Sequence, residues 1–238
     1  MNMANATGLT GQAIYTAQEE RGLTSRFLGP TGVFVEVGAY DPVFQSQTLH
    51  LELTGWTGLL VEPVPEFAEN LRRARQAQVV QCACVAPVAA GTGRVALLER
   101  RGSSTIVFNP RKVRPEDMVI EVPAATLDSV LEGAGLSTID FLSVDVEGAE
   151  PDVLKGVTLS RFQPKLVVVD DRERFSETCA VMRQGNYHLV RRTGHNAWFV
   201  PQETARHLSV RARAQLMWTY GIGRLLRRRM RPGAARSA

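Results

Sequence analysis

The sequence has little cysteine, almost no lysine and no long apolar run. Its 238 residues include only three cysteines. A disulfide framework needs more cysteines and usually an even number of them, so none is expected. Its four histidines are scattered, so no spacing typical of a structural zinc site occurs. No run of about 18 apolar residues exists, which predicts no membrane-spanning helix. The first 12 residues lack the basic and apolar parts of a secretory signal. We therefore expect a cytoplasmic protein.

The charge of the chain is unevenly placed. Lysine is scarce, with 3 lysines against 25 arginines, a bias typical of a GC-rich bacterial genome. The net charge is +4, but residues 206–238 alone contain nine arginines and no acidic residue. The preceding 205 residues therefore carry a net charge of −5. Such a body disfavours nucleic acid as a partner, because enzymes that modify nucleic acid usually need a basic surface around the pocket.

The basic C-terminal tail allows two interpretations. It combines arginines with Trp218, Tyr220 and several aliphatic residues. One interpretation is an interfacial segment that binds anionic lipid at the inner face of the membrane. The other is a helix that packs on the body or on a second subunit, followed by a solvated end. The sequence leaves both open, and it also leaves open whether the protein is a monomer or a homodimer.

Apolar β-branched segments alternate with helix-like segments along the chain. Five buried strands are predicted, at residues 33–37, 58–63, 79–85, 139–146 and 165–170. Helices are predicted at residues 10–28, 46–53 and 65–76, and near residues 127–132 and 149–155. Strands that are apolar throughout and separated by helices indicate a doubly wound, mostly parallel α/β sheet. A Thr-Gly-His turn at residues 193–195 predicts a final antiparallel hairpin, and residues 91–123 predict a small hairpin or lid.

Carboxylates lie at or after the ends of several predicted strands, at the edge where such sheets bind ligands. These acids are Glu36, Asp41, Glu62, Asp145, Glu147, Glu150, Asp170 and Asp171. They would repel a pyrophosphate, and the first turn has only Gly38 instead of a glycine-rich loop. A nucleoside without phosphates fits better, because Glu62 can accept hydrogen bonds from two ribose hydroxyls. Taken singly, Gly38 is also explained as an ordinary turn and Glu62 as a solvated residue before a helix.

Three segments resemble the FkbM family of S-adenosylmethionine-dependent methyltransferases. They are VFVEVGAYD at residues 33–41, SQTLHLELTGWTGLLVEP at 46–63, and TLDSVL with IDFLSVDVEGAEPDVLKG at 126–131 and 139–156. The resemblance implies a seven-stranded, Rossmann-like methyltransferase domain at residues 32–201. An N-terminal helical segment at 1–31 and a basic helix or tail at 202–238 would flank this domain.

The resemblance also implies a cofactor site and a class of acceptor. The implied S-adenosylmethionine-binding residues are Glu36, Gly38, Tyr40, Asp41, Ser46, Glu62 and Ala83. Among them, Glu62 would hold the ribose and Ala83 would lie beside the adenine. Many relatives methylate hydroxyls, so the expected acceptor is a hydroxyl-bearing small molecule, glycan, glycolipid or other natural product. An inactive binding protein with the same fold, or a nucleic-acid methyltransferase, would be the alternatives.

Methyl transfer to a hydroxyl needs a group that takes or polarises the hydroxyl proton. Three residues are candidates for the general base: Asp145, Glu147 and His195. A simpler alternative exists for His195, which lies in a predicted turn and would then be an exposed residue without a role.

A divalent cation is the other route to activating the hydroxyl. Asp145, Asp170 and Asp171 are the predicted ligands of Mg²⁺ or Mn²⁺, because oxygen ligands at neighbouring strand ends suit these ions. The alternative is that Asp171 pairs with Arg172 or Arg174 at a helix start while Asp170 only lines the pocket. The sequence does not decide between these interpretations.

Overall fold

The computed structural model describes residues 18–99, 104–107, 113–114 and 117–206. The helices in these ranges are α1 (Gln18–Phe27), α2 (Leu49–Glu52), α3 (Pro65–Ala74), α4 (Pro87–Ala90), α5 (Leu127–Gly133), α6 (Glu150–Lys155), α7 (Leu159–Phe162), α8 (Phe175–Gln184) and α9 (Gln202–Arg206). The strands are β1 (Val33–Val37), β2 (Thr57–Val61), β3 (Gln78–Val80), β4 (Ala83–Cys84), β5 (Arg94–Leu98), β6 (Thr105–Ile106), β7 (Val119–Ala125), β8 (Phe141–Val144), β9 (Leu166–Asp170), β10 (Tyr187–Thr193) and β11 (Asn196–Pro201).

Two sequence predictions fall outside the described ranges. They are the first part of the helix predicted at residues 10–28 and the basic tail beyond residue 206. Lipid binding by the tail therefore stays a prediction. None of the helices in the described ranges is long and apolar enough to cross a membrane.

The main sheet has seven strands in the order β10-β11-β9-β8-β1-β2-β3. The five strands from β9 to β3 run parallel, whereas β11 is antiparallel to both of its neighbours. The predicted mostly parallel sheet and its antiparallel hairpin are therefore confirmed. The chain winds outward from β1 to β3 and then returns to β8 on the other side of β1. Ligands of open α/β sheets bind at the crevice that such a reversal creates, beyond the ends of β1 and β8.

The parallel strands are buried on both faces. On one face, Val35, Leu142 and Val167 pack in a cluster with residues of α5, α6 and α8. On the other face, Phe34 and Phe141 pack in a second cluster, to which Leu28 just after α1 and Leu71 of α3 contribute. Successive residues of one strand thus pack into the clusters on opposite faces of the sheet. Because both faces are buried, the strands are apolar throughout.

A second sheet contains four strands in the order β4-β7-β5-β6. It includes the end of the segment predicted as one strand at residues 79–85, and this prediction was wrong. The chain leaves the main sheet after Val80, and Ala83 and Cys84 pair instead with β7. An apolar run carries no signal of which sheet each half will join, so the break was not visible in the sequence. The stretch at 91–123 does contain the predicted hairpin, formed by β5 and β6.

Gly38 lies where the ends of β1 and β8 meet. Its φ angle is +86°, and a Cβ atom at this position would lie 1.8 Å from the carbonyl oxygen of Asp145. The Gly38 amide also donates a 2.9 Å hydrogen bond to the carbonyl of Val61 at the end of β2. Only glycine combines this left-handed turn with so close an approach to the neighbouring strand.

We expect Gly38→Ala to lower the free energy of unfolding by about 3 kcal/mol, since backbone strain and a steric clash add together. Gly55→Ala is the matched control, because Gly55 also has a positive φ of +96° but no atom lies within 4 Å of where its Cβ would be. This control should cost only about 1 kcal/mol, the strain alone. Denaturant unfolding measures both losses, and equal losses would contradict the packing argument.

Candidate active site

A cavity of about 270 Å³ opens beyond the carboxyl ends of β1, β2 and β8. Eight residues predicted from the sequence line it: Glu36, Gly38, Tyr40, Glu62, Ala83, Asp145, Glu147 and Asp170. The other four predicted residues, Asp41, Ser46, Asp171 and His195, are not among the lining residues. Five carboxylates and one arginine belong to the described lining, so this part of the wall is strongly acidic.

Glu62 follows β2 and joins two turns of the cavity wall. One of its carboxylate oxygens accepts a 3.0 Å hydrogen bond from the amide of Tyr40, and the other accepts a 2.9 Å bond from the amide of Val64. Burial raises the pKa of Glu62 to about 7, although both hydrogen bonds act in the opposite direction. Each oxygen keeps a second lone pair. The residue is thus a fixed, two-pronged acceptor at the place where a ribose was predicted.

Glu36 anchors the loop after β1. Its carboxylate accepts hydrogen bonds from the Gln47 amide at 2.7 Å, from the Ser46 hydroxyl at 3.1 Å and from the Thr48 hydroxyl at 2.5 Å. Arg75 binds both hydroxyls, at 3.0 and 3.1 Å. Burial raises the pKa of Glu36, and the positive charge of Arg75 counteracts that rise. Glu36 and Ser46 therefore hold the loop together. Glu36 lines the cavity, and Ser46 donates a hydrogen bond to Glu36.

Asp41 and Tyr40 complete the turn after Gly38. Asp41 accepts hydrogen bonds from the amides of Val43 and Phe44, at 2.8 and 2.7 Å, so its carboxylate holds the loop. Tyr40 has a positive φ of 43°. Its ring packs edge-on against Phe67, with the ring centroids 4.7 Å apart. These contacts fix the rim of the cavity on the β1 side.

Asp145 follows β8, and its pKa is strongly raised. Burial is the largest cause, and the charges of Asp170, Glu147 and Glu150 add to it, so that the pKa of Asp145 rises to about 8. Arg172 opposes the rise only in part. A carboxylate in this environment is a stronger base than an exposed aspartate.

The loop after Asp145 depends on Glu150, which the sequence placed among the acids after the strands but to which it gave no role. Glu147 and Gly148 both have positive φ angles, of 53° and 99°. Glu150 is only 1% exposed, and it accepts hydrogen bonds from the amides of Val146 and Gly148, at 3.4 and 2.9 Å. It thus holds Glu147 at the cavity. A glutamate three residues after another is a common helix-start pattern, so this role left no separate signal in the sequence.

The predicted metal site is not formed. Asp171 is fully buried and accepts hydrogen bonds from the Arg174 amide, at 2.8 Å, and from the Thr178 hydroxyl, so its carboxylate serves the start of α8. Asp170 lines the cavity and pairs with Arg172 at 3.4 Å. The described residues contain no group of three or more His, Cys, Asp or Glu that could hold a metal ion. The alternative of a helix-start role for Asp171 matches the structure.

His195 lies in the turn between β10 and β11. Its side chain is exposed, and its carbonyl accepts a hydrogen bond from the Asp171 amide at 3.3 Å. The next residue, Asn196, does line the cavity. This placement matches the alternative of an exposed turn histidine, and it leaves Asp145 and Glu147 as the candidate bases at the cavity.

Several lining residues were not predicted as parts of the site. They include Phe44, Arg172 and Asn196, together with Ile106 of β6 and Ser104 just before that strand. The signal for Arg172 was its position directly after the acids of β9, but the sequence suggested only a local ion pair. The others come from loops and a short strand whose folding brings them to the cavity from distant parts of the chain.

The lining fits a nucleoside that carries positive charge and no phosphate. Glu62 offers two fixed acceptors for vicinal hydroxyls, and Ala83 is a small buried wall residue that leaves space for a flat ring. Asp145, Glu147 and Asp170 suit a cationic group. These residues would hold S-adenosylmethionine, as the resemblance implied.

Comparisons with known proteins identify the family. A methyltransferase FkbM domain matches residues 36–189, more than half of the chain. The chain is similar to a TehB-like SAM-dependent methyltransferase from Corynebacterium glutamicum ATCC 13032 Kitasato (10% identity, TM-score 0.45, covering 83% of this chain and 94% of that chain). It is also similar to a precorrin-6y C5,15-methyltransferase from Geobacter metallireducens GS-15 (13% identity, TM-score 0.42, covering 80% and 90%). No curated protein matches the chain. The chain belongs to the FkbM family of S-adenosylmethionine-dependent methyltransferases.

Proposed function

We propose that the protein is an O-methyltransferase that acts on a hydroxyl of a sugar, glycan, glycolipid or other natural-product acceptor. The observation that carries the proposal is Asp145, a buried carboxylate at the cavity with a pKa raised to about 8. A hydroxyl group needs a general base when it attacks an electrophilic carbon, and a base with such a pKa works well near neutral pH.

The cofactor supplies the electrophile. When bound, S-adenosylmethionine provides an activated methyl group, and Glu62 would hold its ribose hydroxyls. The loop after β1 is preorganised for binding, because Glu36 and Arg75 hold it by hydrogen bonds to Ser46 and the Gln47 amide. A site that needs no rearrangement loses less entropy when its ligand binds.

Asp145 performs the proton transfer in this proposal. Its carboxylate accepts the proton of the acceptor hydroxyl as the oxygen attacks, and the acceptor must be held in line with the methyl group. The neighbouring carboxylates of Asp170 and Glu147 disfavour the negative charge on Asp145, which increases its affinity for that proton. Glu147 is the alternative base, since it lines the same part of the cavity.

The lining of the cavity supports a polyhydroxylated acceptor. Asp170, Arg172 and Asn196 offer hydrogen-bond acceptors and donors there, and Phe44 adds an apolar surface that is 48% exposed. Sugars combine several hydroxyls with an apolar ring face, so both features suit them. A cation route is not carried forward, because the carboxylate of Asp171 is committed to α8.

An acceptor screen tests the proposal directly. The full chain is incubated with S-adenosylmethionine carrying a labelled methyl group and with a panel of sugars, glycolipids and hydroxylated natural products. We expect label in a methyl ether, located by mass spectrometry and NMR. A methyl group found on nitrogen or carbon would contradict O-methyl transfer.

With an acceptor from that screen, Asp145→Asn should lower kcat by about 10²–10⁴-fold, the usual contribution of a general base. Binding of S-adenosylhomocysteine should change only a few-fold, which isothermal titration calorimetry checks. Glu66→Gln, an exposed carboxylate on α3, serves as the control. An Asp145→Asn variant with the parent kcat would move the role of base to Glu147.

The replacement Glu62→Ala should weaken S-adenosylmethionine binding by about 1.5–3 kcal/mol, because two charge-assisted hydrogen bonds to the ribose are lost. Glu66→Ala should bind like the parent. Calorimetry measures both affinities, and thermal unfolding verifies that each variant is folded. Parent-like affinity in a folded Glu62→Ala protein would refute the assignment of the ribose site.

The affinity for S-adenosylmethionine should rise by about tenfold between pH 6 and pH 8.5, because the cation favours ionised Asp145 and the ribose hydroxyls favour ionised Glu62. Glu62 and Asp145 have pKa values raised to about 7 and about 8, so both deprotonate within this range. The rise should be smaller for S-adenosylhomocysteine, which lacks the sulfonium charge, and smaller in Asp145→Asn. Calorimetry in buffers of different ionisation enthalpy would detect the released protons. A pH-independent affinity would show that binding of the ligand does not favour the ionised forms of these carboxyls.

A further inference from the structure

Two cysteines that the methyl transfer does not use lie together on the wall of the cavity. Cys82 and Cys84 are 5% and 3% exposed, and both belong to the lining. Ala83, between them, pairs with Ala124 of β7, and Cys84 pairs with Ala125. Both thiols are free of disulfides. The segment that enters β4 therefore places two cysteines at the cavity wall.

Each thiol changes the pKa of the other. The interaction with Cys82 raises the pKa of Cys84, the interaction with Cys84 lowers the pKa of Cys82, and burial raises both.

The two cysteine side chains lie on the same face of the chain. Both pack in one apolar cluster, whereas Ala83 between them packs in another. Two free thiols on one face can bind a single soft atom together, and an atom that bonds to both sulfurs closes a small ring there.

We propose that Cys82 and Cys84 form a dithiol site for trivalent arsenic, and that its occupation blocks the cofactor cavity. With an arsenoxide, two S–H bonds and the arsenic–oxygen bond break, two As–S bonds form, and the oxygen leaves as water with both protons. Arsenic remains trivalent, so the reaction needs no oxidant or reductant. The ligand class is a soft ion that prefers sulfur.

The blocking effect rests on the proposed function, whereas the adduct itself does not. Ala83 would lie beside the adenine, so a group bonded to both flanking sulfurs would occupy space next to that ring. An arsenical and the cofactor should then exclude each other.

Phenylarsine oxide is the probe, used on the full chain after removal of reducing agents. We expect one adduct per chain by intact mass spectrometry, mapped to the peptide that contains residues 82–84. The adduct should survive a monothiol but be removed by a dithiol such as dithiothreitol. Cys82→Ser and Cys84→Ser should each bind the probe about 100-fold more weakly or worse, because the second As–S bond becomes impossible.

Cys179→Ser is the matched control, since Cys179 lies on α8 and is not among the lining residues. This variant should keep the adduct. Saturation with S-adenosylhomocysteine should protect the parent protein, a measurement that needs no folded variant. An adduct that maps to Cys179, or that persists unchanged in Cys82→Ser and Cys84→Ser, would overturn the proposal.

The two proposals fail in different ways. Normal binding of S-adenosylhomocysteine without a monothiol-resistant adduct would refute the dithiol site alone. A dithiol adduct in a protein that does not bind S-adenosylhomocysteine would refute the cofactor assignment and leave the arsenic site standing. Simultaneous binding of both ligands would refute the blocking effect.

Discussion

The site depends on the close approach of two strand ends, where Gly38 meets the carbonyl of Asp145. That contact sets the separation of β1 and β8 at the reversal of strand order. It places the loop after β1 on one side and Asp145, the proposed base, on the other. The hydrogen bond from Gly38 to Val61 extends the same constraint to β2, which ends at Glu62. Three functional positions are thus fixed by one backbone arrangement.

Electrostatics at this edge of the sheet follows from the constraint. Carboxylates that follow adjacent parallel strands are forced together, and burial prevents water from screening them. Burial is the largest cause of the raised pKa values of Glu62, Asp145 and Glu150, and neighbouring carboxylates raise the values of Asp145 and Glu150 further. Each of these acids has a different task, because its hydrogen-bond partners differ. Glu150 holds the loop after Asp145, Glu62 accepts hydrogen bonds from two backbone amides, and Asp145 lines the cavity as the proposed base.

The sequence predicted the sheet well because buried parallel strands are apolar on both faces and lie between helices. The same logic placed Glu62, Asp145 and Asp170 at one edge. It failed for Asp171, because neighbouring residues at a strand end point in different directions and a nearby threonine, Thr178, captures the carboxylate. It also failed to divide residues 79–85 between two sheets, since pairing partners such as Ala124 lie far along the chain. The local sequence pattern predicts helices and strands, whereas long-range pairing decides which sheet each strand joins.

The cavity is bounded by two sheets that share no strand. The parallel sheet supplies Glu62 and Asp145, while the small sheet supplies Ala83 and Ile106. The strands of the small sheet pair with one another, so an insertion in its loops leaves the register of the parallel sheet unchanged. The loops of the small sheet can therefore be lengthened or reshaped while the positions of Glu62 and Asp145 stay the same. One wall of the cavity is thus free to vary independently of the strand ends that carry these two carboxylates.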